Sequence, residues 1–174
     1  MTTTASAEDV AAISAITGIP EVNLDVFPLE IPGLSGCAIF DALDTRVRGA
    51  NAAMPVVRVD GGWLPGTAPD VTALVLNSCA DRDTAPQALA AVIGTLHSPR
   101  LDAVNDVKSP LVETMLRNAG VGFQPPESRS EGSHQIVTFF AEGPDGQYLA
   151  YVEANWSVGG DVVVVANPIP NAEP

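Results

Sequence analysis

Apolar residues recur at strand spacing near both ends of this chain and at helical spacing between them. The clearest alternation lies over residues 135–167. There Q-I-V-T-F-F-A, Q-Y-L-A-Y-V-E-A-N-W and D-V-V-V-V-A-N form three β-rich runs. Two turn signals separate them. In Gly143-Pro144-Asp145-Gly146 the proline presets φ, and Gly159-Gly160 supplies the positive φ of a tight hairpin. The pattern predicts an antiparallel three-stranded meander. Along its middle run Tyr148, Ala150, Val152, Ala154 and Trp156 fall on one face, a core face. Gln147, Tyr151, Glu153 and Asn155 emerge mainly on the other, which is half polar.

Helical periods are shorter and well punctuated. Ser6-Ala-Glu-Asp9 is a capping-box pattern, followed by Val10, Ile13 and Ile16 on one face and by Gly18 as a stop. Leu89, Val92, Ile93 and Leu96 stand at i, i+3, i+4 and i+7 behind Thr84-Ala-Pro-Gln87, which predicts a helix capped by Thr84 and ended by Pro99. Ser109-Pro110 opens another, with Leu111, Val112, Met115 and Leu116 as its stripe and Gly120 as its end. Residues 71–79 suit either a helix capped by Thr67 or Asp70 or a strand.

Between residues 21 and 66 the pattern is strand-like with irregular connections. Pro28 and Pro32 exclude a continuous central strand over Val22–Val26 and beyond. C-A-I-F-D-A-L-D-T-R-V-R carries Ile39, Leu43 and Val47 on one face, interrupted by Asp41, and P-V-V-R-V-D is a further short strand. Residues 49–51 and 60–62 are turn signals, and residues 125–132 a polar loop. Helices are not interleaved strand by strand. The order predicts a single α+β domain over 1–174, with an antiparallel sheet of N-terminal strands and the C-terminal meander packed on one side by helices. Residues 1–5 and 168–174 are expected as tails.

Composition narrows the partners. Eight basic against 21 acidic residues give a net charge of −13. Nucleic acid is excluded as an expected partner, because phosphates require clustered Lys and Arg. No apolar run reaches the roughly 20 residues of a membrane span. Residues 1–9 lack the basic region and apolar core of a signal peptide. Two compartments are therefore carried forward. The Thr/Ala/Ser-rich opening and the single lysine suggest an extracytoplasmic mature form; a cytoplasmic protein is the alternative. Cys37 and Cys79 pair in the first and are small buried apolar residues in the second.

Chemical motifs are sparse. The two histidines, His97 and His134, belong to no metal-ligand spacing, and Asp81-x-Asp83 and Asp102-x-x-Asn105-Asp106 lack the glycine and glutamate of a calcium loop. No metal and no cofactor is expected. Gly33-Leu34-Ser35-Gly36-Cys37 nearly spells a nucleophile elbow, but a strand follows it where a helix is required. No phosphate-binding glycine loop exists. Asp41, Asp44 and Glu153 interrupt apolar runs, and a carboxylate in an apolar cavity can act as general acid or base.

The leading expectation is a non-catalytic binding or protein-interaction module. Its site is Gln147, Tyr151, Glu153 and Asn155 on the polar face of the sheet, and its partner is a protein or small molecule. A small cofactor-free enzyme of cyclase or isomerase type, using Asp41, Asp44 or Glu153, is the alternative. A structural subunit of an assembly is a third.

Overall fold

Two antiparallel sheets enclose a layer of helices. The computed structural model describes residues 4–48, 53–172 and 174. Among these, the order is α1 (Ala7–Thr17), β1 (Leu24–Leu29), β2 (Cys37–Asp44), β3 (Ala53–Val59), β4 (Gly62–Pro65), α2 (Val71–Cys79) and α3 (Pro86–Leu96). The chain continues through β5 (Asp102–Ala103), α4 (Pro110–Ala119), β6 (Glu127–Glu131), β7 (His134–Glu142), β8 (Leu149–Ser157) and β9 (Val162–Pro168). The first sheet runs β1-β2-β3-β4; the second runs β5-β7-β8-β9, with β6 also on β7. This is an α+β fold with antiparallel sheets, as the element order predicts, but the strands divide between two sheets.

Side-chain alternation explains the layering. On one face of the first sheet Ile39, Val57 and Val59 meet Val71, Val75, Leu76, Leu89 and Ile93 of α2 and α3. The same cluster takes in Val137, Phe139, Val152, Ala154 and Trp156 from the second sheet, so α2 and α3 lie between the two. A helix in that position must be apolar nearly all round. In α3, Ala88, Leu89, Ala90, Val92, Ile93 and Leu96 are all buried. The other face of the first sheet packs Phe40, Ala42 and Val56 against Ile13 of α1. The other face of the second sheet packs Phe140 and Leu149 against Val112, Met115 and Leu116 of α4.

Local signals act where expected. Ser6 and Asp9 form the reciprocal capping box, and Gly18 ends α1 in the left-handed conformation at φ 72°. Pro28 sits in β1, an edge strand. Thr45 N donates to Asn23 O, a directly opposed pair, so the alternate residue Pro28 turns its nitrogen to the free edge where no donor is needed.

Other expectations are corrected. Thr84 does not cap α3: Ala85 holds that position, and the Thr84 hydroxyl instead accepts from Asp81 N at 2.9 Å. Residues 71–79 are helical. Asp70 precedes them at φ 59° and its side chain makes no capping bond. The polar loop over 125–132 contains a strand, β6. Its serines face inward, where Ser130 Oγ donates to buried Gln135 Oε1 at 2.7 Å and Ser128 Oγ accepts from Gln135 Nε2. Hydrogen bonding rather than apolar burial holds this strand, so hydrophobic alternation could not reveal it. Residues 168–172 are no loose tail: Ile169 N donates to Leu149 O at 2.9 Å and Ala172 is buried under α4. The turn signal at 49–51 lies outside the described residues. The near-elbow at Ser35 is an exposed turn ahead of β2.

Candidate functional site: the outer face of the second sheet

Strand register builds this face row by row. Arg129, Ile136, Asn155 and Val163 stand side by side across β6, β7, β8 and β9. Glu127, Thr138, Glu153 and Val165 form the next row. Phe140, Tyr151 and Asn167 form the third, and Glu131, His134 and Ser157 close the opposite end. Because side chains alternate, none of these belongs to the face that packs on α2 and α3.

The face is half covered. Its third row lies against α4: Tyr151 meets Phe140 edge-on at 5.4 Å, and Phe140 stacks on Phe123 at 6.0 Å. Tyr151 is therefore half buried and borders a core cluster. Glu153 and Asn155 are exposed, and beside them Val163 and Val165 leave 61% and 50% of their surface in water. Gln147 does not join them: it is exposed, but ends the 3-10 turn Pro144–Gly146 before β8 begins. Three of the four expected binding residues thus share a face, and two valines the polar pattern could not flag complete its open half.

Polar contacts set its chemistry. His134 Nδ1 lies 2.8 Å from Asn155 Oδ1 and 3.2 Å from Ser157 Oγ. Both partners address the same ring nitrogen. A nucleophile relay needs them on opposite nitrogens, so this cluster orients the imidazole and does not activate Ser157. Arg129 donates through Nε to Glu131 Oε1 at 2.9 Å, and the carboxylate of Glu153 stabilises its charge further. Glu127, Glu131 and Glu153 against Arg129 leave this face net acidic.

The remaining carboxylate candidates lie on the first sheet. Asp41 accepts from Arg100 Nη1 at 2.7 Å. Asp44 accepts from Arg46 Nε, Nη2 and backbone N at 2.9, 2.7 and 3.0 Å. The Arg46 side chain, then its backbone N–H, hold the Asp44 carboxyl down at about 2. An acid so held stays ionised and is a poor proton donor. The carboxyl that is pushed up is Glu142, by burial first and by the carboxylate of Asp102 opposite it in register second. Its position at the end of an apolar strand, beside a turn, gave no sign of this.

A cavity of about 220 Å³ opens at the C-terminal end of α3, lined among others by Pro55, Thr67, His97, Arg100 and Asp102. Arg100 there bridges Asp41 and Asp102, at 2.7 and 3.4 Å. His97 Nδ1 lies 2.8 Å from Pro99 O. Arg100 and the two carboxylates are thus engaged with one another, and His97 with the backbone. Among the described residues no three His, Cys, Asp or Glu side chains gather to hold a metal ion, and no helix is long and apolar enough to cross a membrane. No protein-family model matches the chain, and neither does any curated protein or solved structure.

Proposed function

We propose that this chain is a non-catalytic binding module that meets its partner through the open half of the outer face of the second sheet. The observation that carries this reading is the exposure of Val163 and Val165 in register with Asn155 and Glu153. An apolar strip with a polar border resembles the core and rim of a protein contact surface. Tyr151 adds an aromatic edge to it, held in place by Phe140. The test is a photo-reactive side chain placed at Asn155, with Asp25 on the first sheet as the control. A protein adduct formed at 155 and absent at 25 supports the reading. Equal labelling at both positions, or none, removes it.

The cofactor-free enzyme is the second reading, and Glu142 is the observation in its favour. Asp41 and Asp44 are engaged by arginines, and Glu153 faces water. A carboxyl resonance of Glu142 titrating near neutral pH would support a general acid or base there. Titration at ordinary carboxylate pH would leave this reading without a residue.

A further inference from the structure

We propose that β9 is a docking edge that accepts, as a sixth strand of the second sheet, an extended and basic segment of a partner protein. The inference rests on the reading of the chain as a binding module and names the class of its partner.

Hydrogen-bond parity identifies which groups the edge presents. Ser157 N donates to Asp161 O, and Ile169 N donates to Leu149 O, both at 2.9 Å. Both are directly opposed pairs of the β8–β9 register. In an antiparallel ladder such bonded pairs recur every second residue, so Val163, Val165 and Asn167 bond inward to β8. Val162, Val164 and Ala166 must then aim their N–H and C=O groups away from the sheet. No described residue bonds to those groups. Pro168 ends the row, and a proline nitrogen at that position gives up no ladder bond.

The edge also lacks protection. Proteins shield free edges with charge, internal proline, bulges or shortness. β9 is seven residues long, reads V-V-V-V-A-N-P, pairs with β8 without interruption and carries no charge. Beside it, on the side of α2 and α3, lies a cavity of about 260 Å³ lined by Val162, Val164, Val71, Thr72 and Ile93, with Asp70 on its wall. A strand added to β9 would send alternate side chains toward this cavity and the rest over Val163 and Val165. The main chain supplies attachment, and Val162, Val164, Val71 and Ile93 offer apolar contact to one set of side chains.

Charge selects the partner over a second copy. Asp70 and Asp161 flank the edge and Glu153 stands one strand in, while β8, β9 and the cavity lining contain no lysine or arginine. Two copies would bring together two bodies of charge −13. A segment with Lys or Arg among β-branched residues meets no such repulsion.

The probe is a blocked ten-residue peptide alternating valine with lysine, and its twin has glutamate for lysine. Amide exchange is followed by NMR on the intact chain. The expected result is slowing by about tenfold or more at the amides of Val162, Val164 and Ala166 with the basic peptide alone. Ala166→Pro removes one outward N–H and no bond to β8, and should abolish the protection. Should that variant fail to fold, Val165→Lys, at an exposed position, should weaken basic-peptide binding several-fold. Equal binding of the acidic twin overturns the proposal. So does protection that rises with protein concentration without peptide, which would mean that a second copy fills the edge. Peptide shifts confined to Glu153 and Asn155, with the three edge amides unchanged, overturn the edge but leave the binding face standing.

Discussion

Glu142 and Asp44 are carboxylates with opposite consequences for stability. Burial, then Asp102, raises the Glu142 pKa, so the folded protein holds that proton more tightly than the unfolded chain does. By linkage, ionised Glu142 lowers stability at neutral pH, and the loss is relieved as pH falls through the folded pKa. Glu142→Gln mimics the protonated form. It should therefore raise Tm at pH 7 and leave it unchanged near about pH 3, where both side chains are neutral. A lower Tm at pH 7 would mean the carboxylate makes a favourable contact. Asp44 runs the other way: its contribution is present above the ordinary value of about 3.9 and is lost as pH falls toward about 2. Asn77 acts differently again, through geometry. Its Oδ1 accepts from buried Trp156 Nε1 at 2.7 Å and from Gly159 N at 2.8 Å, and its Nδ2 donates to Gly160 O at 2.7 Å. One side chain on α2 thereby fixes the β8–β9 hairpin from which the proposed docking edge starts.

At the scale of elements, α3 carries the packing. Its stripe was legible from spacing, but burial of Ala88 and Ala90 on the remaining sides follows only from its place between two sheets. Gly94 belongs to the same arrangement, since a Cβ there would collide with the carbonyl of Leu101, whose N–H donates to Gly94 O at 3.0 Å. Ile93 is almost fully buried within the shared cluster. Ile93→Ala should cost about 2–5 kcal/mol, read as a lower denaturation midpoint. An unchanged midpoint would show that α3 is not the shared core of both sheets. In β8 the polar alternation of Tyr151, Glu153 and Asn155 was equally legible. Which of these residues remain open was not, because α4, some thirty residues earlier, covers one end of that face.

Across the whole molecule, Cys37 and Cys79 join the first sheet to the C-terminal end of α2 as a disulfide, with Cα atoms 5.8 Å apart and a sequence separation of 42. Closing such a loop stabilises a fold by about 4 kcal/mol on the chain-entropy model. Protein purified without reductant should show no free thiol in denaturant, and reduction should lower its urea midpoint accordingly. Two titratable thiols would remove the bridge. The sequence by itself determined the features that depend on a few neighbouring residues. Ser6 and Asp9 cap α1 through contacts three residues apart, Gly18 stops it, Gly159 turns the last hairpin, and alternation sorts the two faces of β8. Tertiary structure decided what lies against each face. It divided the strands into two sheets around α2 and α3, laid α4 over Tyr151, made a strand of Glu127–Glu131 through Gln135, and left the outer edge of β9 without a neighbouring strand. Those outcomes depend on contacts between residues tens of positions apart, and no periodicity along the chain records which surface another segment will reach.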